Sequence, residues 1–267
     1  MTGLPALLEN LPELQDEAEI ASLRALEQRL GYRFVRLELL RVALTLASWC
    51  NEHATSGWPS NESLEFFGDA VLDLVAADEL WRRFPAQGEG PLTRLRATLV
   101  SEEALAAAAQ TSKLGDWLFL GKGDEQRGGR EREASLADTV EAVMGAAFLD
   151  ARAASQDPLA AASAVFRALL GERADGLAPD HGIDAKSRLQ HWAQRVHRAT
   201  PTYLTEAAAE STPEQPQWIS RVVFSPHEGE VQVLGEGQAR SMRRAQQAAA
   251  VAALAAIKAP KAPDHGS

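Results

Sequence analysis

Glu62, Glu65 and Asp69 stand at i, i+3 and i+7 of the segment Asn61-Glu62-Ser63-Leu64-Glu65-Phe66-Phe67-Gly68-Asp69-Ala70-Val71-Leu72, whose other positions are largely apolar. A helix turns every 3.6 residues, so the three acids share one face. Like charges placed in this way repel by roughly 0.2–0.5 kcal/mol per pair on an exposed helix. The cost rises where water is excluded. Gly68 weakens a helix by about 1 kcal/mol relative to alanine, which points to a close backbone approach at that position. Acids that oppose folding have a use if a cation sits on them. The plain alternative is a solvated acidic face.

A second segment, Ser135 to Asp150, again places two acids, Asp138 and Glu141, at i and i+3 of an apolar helical run. A capping box from Ser135 to Asp138 would account for Asp138 and leave Glu141 unexplained. Ala142, Gly145 and Ala146 are small enough to admit another helix. Two such helices packed together would bring four carboxylates to one point. Hard divalent cations take oxygen ligands, and Mg²⁺ on a few carboxylates is their usual form in phosphoryl chemistry.

At these two segments the chain resembles the ribonuclease III family. The first is similar to the family signature Asn-Glu-Arg-Leu-Glu-Phe-Leu-Gly-Asp-Ser/Ala-Val-Leu, with Ser63 in place of Arg and Phe67 in place of Leu. The second is similar to the family's Ala-Asp-x-x-Glu-Ala helix. Glu89-Gly90-x-Leu92, Leu95-Arg96-Ala97-x-Leu99-Val100 and Gly121-Lys122-Gly123-Asp124-Glu125-x-x-Gly128-Gly129-Arg130 follow in the family's order. The resemblance spans about residues 15 to 257.

The resemblance implies a double-strand-specific endoribonuclease that leaves 5′-phosphate and 3′-hydroxyl ends. It implies catalytic and metal-site acids at Glu65, Asp69, Asp138 and Glu141, with Mg²⁺ as cofactor and Mn²⁺ as a substitute. Glu62 and Glu89 match outer acids of the same site. Phe66 matches a dimer plug, with an ordinary core phenylalanine as the alternative, and a homodimer would let one active site cut each strand. Processing of ribosomal and other structured RNA precursors in the cytoplasm follows as the expected role. Thr45-Leu46-Ala47-Ser48 stands where the family has Thr-His-x-Ser. Asp73, one turn beyond Asp69, fits the acidic stripe without a family role and is read as a solvated acid.

The formal charge of −10 taken whole would argue against a nucleic-acid partner. It is unevenly spread. Residues 1–183 carry 17 basic and 29 acidic side chains, net −12, whereas residues 184–258 carry 9 and 7, net +2. The first part suits a cation site and the second suits phosphate. Cys50 is the single cysteine, which rules out an intramolecular disulfide and a cysteine cluster for zinc; beside an apolar run, it is expected to be buried. With neither a signal-like N-terminus nor an apolar run of about 18 residues, no membrane partner is expected.

The elements that must position these residues follow from punctuation. Residues 16–171 read as successive helices after an N-terminal extension, 1–15. Arg36–Ala47, Asn61–Phe84 and two helices within Leu92–Lys113 meeting near Ser101 have helical spacing. Asp157-Pro158 starts another helix that Gly171 stops. Residues 172–183, with Gly176, Pro179, Asp180 and Gly182, read as a linker. Beyond it come a helix over Lys186–His197, strands over Thr202–Thr205, Trp218–Phe224 and Glu230–Leu234, and an alanine-rich helix over Ser241–Ile257, before a tail at 259–267.

The fold class is therefore an all-α endonuclease domain followed by a small α+β domain, over residues 184–258, in α-β-β-β-α order. The latter resembles a double-stranded-RNA-binding domain, which reads A-form shape across two minor grooves and the phosphates between them. Gln190 matches a minor-groove contact. Thr212-Pro213-Glu214-Gln215 replaces the usual Gly-Pro-x-His. Ser241-Met242-Arg243-Arg244-Ala245 replaces Ser-Lys-Lys-x-Ala, so Arg243, with Arg244 or Arg240, would meet phosphate. Two other classes are a non-catalytic RNA-binding scaffold and a phosphohydrolase of small molecules. Retention of all four acids opposes the first, and the appended RNA-binding pattern opposes the second.

Overall fold

The computed structural model describes residues 5–178, 184–209, 211–212, 215–224 and 232–258. The chain divides into two compact units, residues 1–181 and 182–267. The first unit is helical among the described residues: α1 (Ala6–Glu9), α2 (Glu17–Leu30), α3 (Leu37–Ala43), α4 (Ala47–Glu52), α5 (Glu62–Arg83), α6 (Glu89–Leu99), α7 (Glu102–Thr111), α8 (Lys122–Gln126), α9 (Glu133–Ala153) and α10 (Pro158–Asp175).

Caps set several of these boundaries. The Asp16 carboxylate accepts from the Ala18 and Glu19 amides, and the Ser101 hydroxyl accepts from Ala104, starting α7. The Asp157 carboxylate accepts from Leu159 and Ala160, with Pro158 in the first turn of α10. α9 is the central element. Val140, Ala142, Val143, Met144, Ala146 and Ala147 are fully buried on it, and it packs against α3, α5, α7 and α10. Small residues on several sides of one helix let that many neighbours approach. Its far end is anchored by Asp150, which is buried and accepts from the Tyr32 hydroxyl and from the Val35 and Arg36 amides, each at 2.8 Å.

Several expectations need correction. The helix expected over Arg36–Ala47 breaks at 44–46, because Thr45 pairs with Phe119. Leu46 donates its amide to the Phe119 carbonyl at 3.0 Å, and Phe119 donates to Leu44 at 2.9 Å. Arg41 fastens this break from below. It is buried, with Trp49, Trp58 and Phe119 ring centroids 4.1–4.4 Å from its guanidinium carbon. Gly171 does not stop α10, which continues to Asp175, so the expected linker begins inside a helix. Glycine costs little there because the flanking Phe166, Leu170 and Ala174 are buried and hold the turn. Ser135 lies inside α9 and is buried, which removes the capping box. Leu8, within the expected N-terminal extension, is buried in the core. Cys50 is half-buried rather than buried, and burial still pushes its thiol above the ordinary range.

The second unit comprises α11 (Ala185–His197), β1 (Thr202–Ala207), β2 (Trp218–Phe224), β3 (Gln232–Ala239) and α12 (Met242–Lys258). The strands form an antiparallel sheet in the order β1-β2-β3, with Thr205 opposite Ser220 and Ser220 opposite Gly237. Ser220, Val222 and Phe224 alternate inward and are buried. The core of this unit also includes Leu189, Ala249, Ala250 and Ala253. Gly235 permits α12 to lie close, since a Cβ there would sit 2.6 Å from the Ala249 carbonyl oxygen. The α-β-β-β-α order is as expected; Glu230, the expected start of the third strand, lies outside the described residues.

Candidate metal centre and nucleic-acid interface

The acids are brought together by the crossing of α5 and α9. Gly68 and Gly145 meet there, leaving no room for a Cβ on either helix. Close approach places Glu65 of α5 opposite Asp138 and Glu141 of α9, with one carboxylate oxygen from each lying within 4.8 Å of the others. All three side chains are partly buried.

Burial, followed by the charges of Asp69, Asp138, Glu65 and Asp73, pushes the Glu141 carboxyl up to about 7. Glu65 is raised by burial and then by Asp138, Glu62 and Asp69. Asp138 is raised by burial and by Glu102 at the start of α7. Among the described residues no cation lowers any of the three. An all-oxygen, desolvated and uncompensated cluster fits a hard divalent cation.

The other sequence candidates divide. Asp69 is exposed and stands outside the 4.8 Å group, one turn along α5, close enough to raise Glu65 and Glu141. Glu62 accepts from the Ser60 hydroxyl at 2.6 Å and adds charge to Glu65. Glu89 is not gathered into the cluster. It lies in the first turn of α6, where its carboxylate accepts from the Thr93 hydroxyl at 2.9 Å beside Trp81 and Leu92. Asp73 is not simply solvated, because Arg96 of α6 pairs with it at 3.4 Å. Phe66 is 83% exposed, which excludes a core role. Exposed Leu74 and Trp81 share its side of α5, at i+8 and i+15.

In the second unit a groove is lined by Asp184, Lys186, Ser187, Gln190, Arg243 and Arg244, among others. Asp184 caps α11 by accepting from the Lys186 and Ser187 amides. Gln190, Arg243 and Arg244 therefore come together; Arg240 is exposed but does not line this groove. Met242 is 46% exposed at the start of α12. Of the substituted loop, Thr212 and Gln215 close a turn, while Pro213 and Glu214 lie outside the described residues. Sequence reasoning missed Lys186. Its ammonium sits 4.7 Å from the Tyr203 ring centroid and donates to Gln246 at 2.6 Å. Its position two residues past a capping Asp was the available signal.

The helical unit with a carboxylate cluster at a helix crossing, and the α-β-β-β-α unit with a basic groove, each match a known family. Residues 37–163 match the Ribonuclease-III-like family and residues 185–257 match the Double-stranded RNA binding motif. The chain is 40% identical over 247 residues to Ribonuclease 3 of Nitratidesulfovibrio vulgaris, covering 92% of each chain. It is also 40% identical to Ribonuclease 3 of Geobacter metallireducens, covering 84% of this chain and 87% of that one. Among solved structures, the nuclease domain of ribonuclease III from Campylobacter jejuni aligns at a TM-score of 0.51 and 33% identity, over 62% of this chain and all of that one. The chain belongs to the ribonuclease III family.

Proposed function

We propose that the chain is a double-strand-specific endoribonuclease that requires a divalent cation, Mg²⁺ by preference with Mn²⁺ able to substitute. The observation that carries this reading is the uncompensated cluster of Glu65, Asp138 and Glu141, with Asp69 beside it, on a chain that also has a duplex-RNA-binding fold. These four acids would hold the cation. When bound, it supplies activation of water and neutralisation of charge at the phosphoryl group.

The reaction adds water oxygen to phosphorus and releases the 3′ oxygen with a proton, leaving 5′-phosphate and 3′-hydroxyl ends. Glu65, Asp138 and Glu141 orient the reacting groups at the crossing, and Glu62 enriches the local negative charge. Residues 184–258 bind the duplex, with Lys186, Arg243 and Arg244 on phosphate and Gln190 at the minor groove. The exposed apolar stripe of Phe66, Leu74 and Trp81 supports a homodimer, each copy cutting one strand. Processing of ribosomal and other structured RNA precursors in the cytoplasm is the cellular role that fits.

A duplex and its separated strands, offered at equal concentration with Mg²⁺, test the substrate class. Cleavage confined to the duplex supports the reading. Equal cutting of both contradicts it.

A further inference from the structure

The acidic stripe of α5 ends on a cation that the proposed chemistry does not use. Glu62, Glu65, Asp69 and Asp73 follow one another along the helix, and at Asp73 the stripe meets Arg96 of α6. The contact is a single one, Nη1 to Oδ2 at 3.4 Å, between side chains that are 38% and 41% exposed. A pair so long and so exposed braces two helices weakly. The two arginines at the end of α5 are committed elsewhere. Arg82 is bound to Asp78 and Glu79, and Arg83 to Glu79, Asp175 and the Ala174 carbonyl. Arg94 of α6 has its Nε and Nη2 buried, without a hydrogen-bond partner among the described residues, so those donors are not presented to solvent. Arg96, 38% exposed, has this one contact among the described residues, with Asp73, whose charge is felt at Glu141.

We propose that Arg96 is a positioning residue that holds a phosphodiester oxygen next to the bond cut at the acid cluster, and that Asp73 restrains it until RNA arrives. A polyanion approaching these acids needs a fixed cation at the border of the stripe, and a partly exposed guanidinium held by one long contact suits a phosphate oxygen. Asp73 competes for that guanidinium. The two partners therefore oppose each other in RNA binding, whereas partners in a purely structural brace would act together.

This inference rests on the proposed cleavage of duplex RNA. The full chain and its Arg96→Gln, Arg96→Lys and Asp73→Asn variants are compared for KM and kcat on one defined duplex in Mg²⁺, for duplex affinity on a Glu141→Gln background, and for thermal midpoint. Arg96→Gln is expected to raise KM about tenfold and to lower the salt slope of binding by about one. Arg96→Lys keeps most of the affinity, and Asp73→Asn lowers KM two- to threefold. Arg96→Gln and Asp73→Asn moving KM in the same direction, or an unchanged salt slope in Arg96→Gln, overturns the inference. If Arg96→Gln does not fold, Arg96→Lys and Asp73→Asn carry the comparison, and a rise in KM for Asp73→Asn overturns it. A wild type that leaves the duplex whole defeats the functional reading itself and this inference with it.

Discussion

Gly68 of α5 and Gly145 of α9 face each other at the crossing that forms the acid cluster. A Cβ on Gly145 would lie 2.6 Å from the Leu64 carbonyl oxygen and 3.1 Å from the Gly68 Cα, and one on Gly68 would overlap the Glu141 carbonyl. The backbone that carries Glu141 is thus in contact with the helix that carries Glu65 and Asp69. Helix spacing and the geometry of the acid cluster are one property here.

Gly68→Ala is therefore expected to cost roughly 3 kcal/mol or more, because the obstruction is backbone and cannot swing aside. Gly145→Ala should cost somewhat less. Chemical denaturation of both variants measures this, and a Gly68→Ala midpoint within error of wild type would show that the crossing is looser than described.

Much of this site was readable from residue types, because it depends on local spacing. The acids at 62, 65 and 69 and at 138 and 141 define helix faces without knowledge of the fold, and Gly68 signals a close approach. What was not readable depends on partners far away in the chain. Asp73 looked solvated because Arg96 lies 23 positions on; the helix over Arg36–Ala47 broke because Phe119 pairs with Thr45. Phe66 could not be placed from its own segment, since a core and an exposed phenylalanine have the same helical spacing; its 83% exposure in the fold decides it. Gly171 misled because packing of the last turn outweighs glycine's intrinsic cost.

The Glu141 carboxyl gives a pH prediction. In the folded chain it titrates at about 7, against 4.5 for an ordinary glutamic acid. Between these values the unfolded chain binds fewer protons, so stability falls as pH rises from about 4.5 to about 7 and stays lowered above. Glu141→Gln removes that loss. In EDTA its thermal midpoint should match wild type near pH 4.5 and exceed it by a few degrees near about pH 8, and Mg²⁺ should narrow the gap. A gap that is independent of pH would mean that Glu141 is not desolvated beside like charges.

Phe66 and Trp81 give an association prediction. They are 83% and 70% exposed on one helix side, a surface that a second copy would cover. Phe66→Glu together with Trp81→Glu should convert a dimer to a folded monomer in sedimentation at micromolar concentration. A wild type that sediments as a monomer would remove this stripe as the interface.

The second unit gives a salt prediction. Arg243→Ala with Arg244→Ala should weaken binding to duplexes of any sequence at least tenfold and flatten its salt dependence by about two. Met242→Lys should tighten binding by adding a cation at the helix start. Titrations at two salt concentrations decide; unchanged affinity in the double alanine variant would mean that α12 does not face RNA.

On the proposed function, the crossing of α5 and α9 is a divalent-cation site that cuts duplex RNA. The most direct measurement incubates the full chain and its Glu141→Gln variant with one long duplex, in Mg²⁺ and in EDTA, and maps the fragment ends. Wild type is expected to cut in Mg²⁺ alone, with 5′-phosphate and 3′-hydroxyl ends on both strands, and the variant to retain duplex binding without cutting. Cleavage by wild type in EDTA, or near-normal cleavage by Glu141→Gln in Mg²⁺, would contradict it.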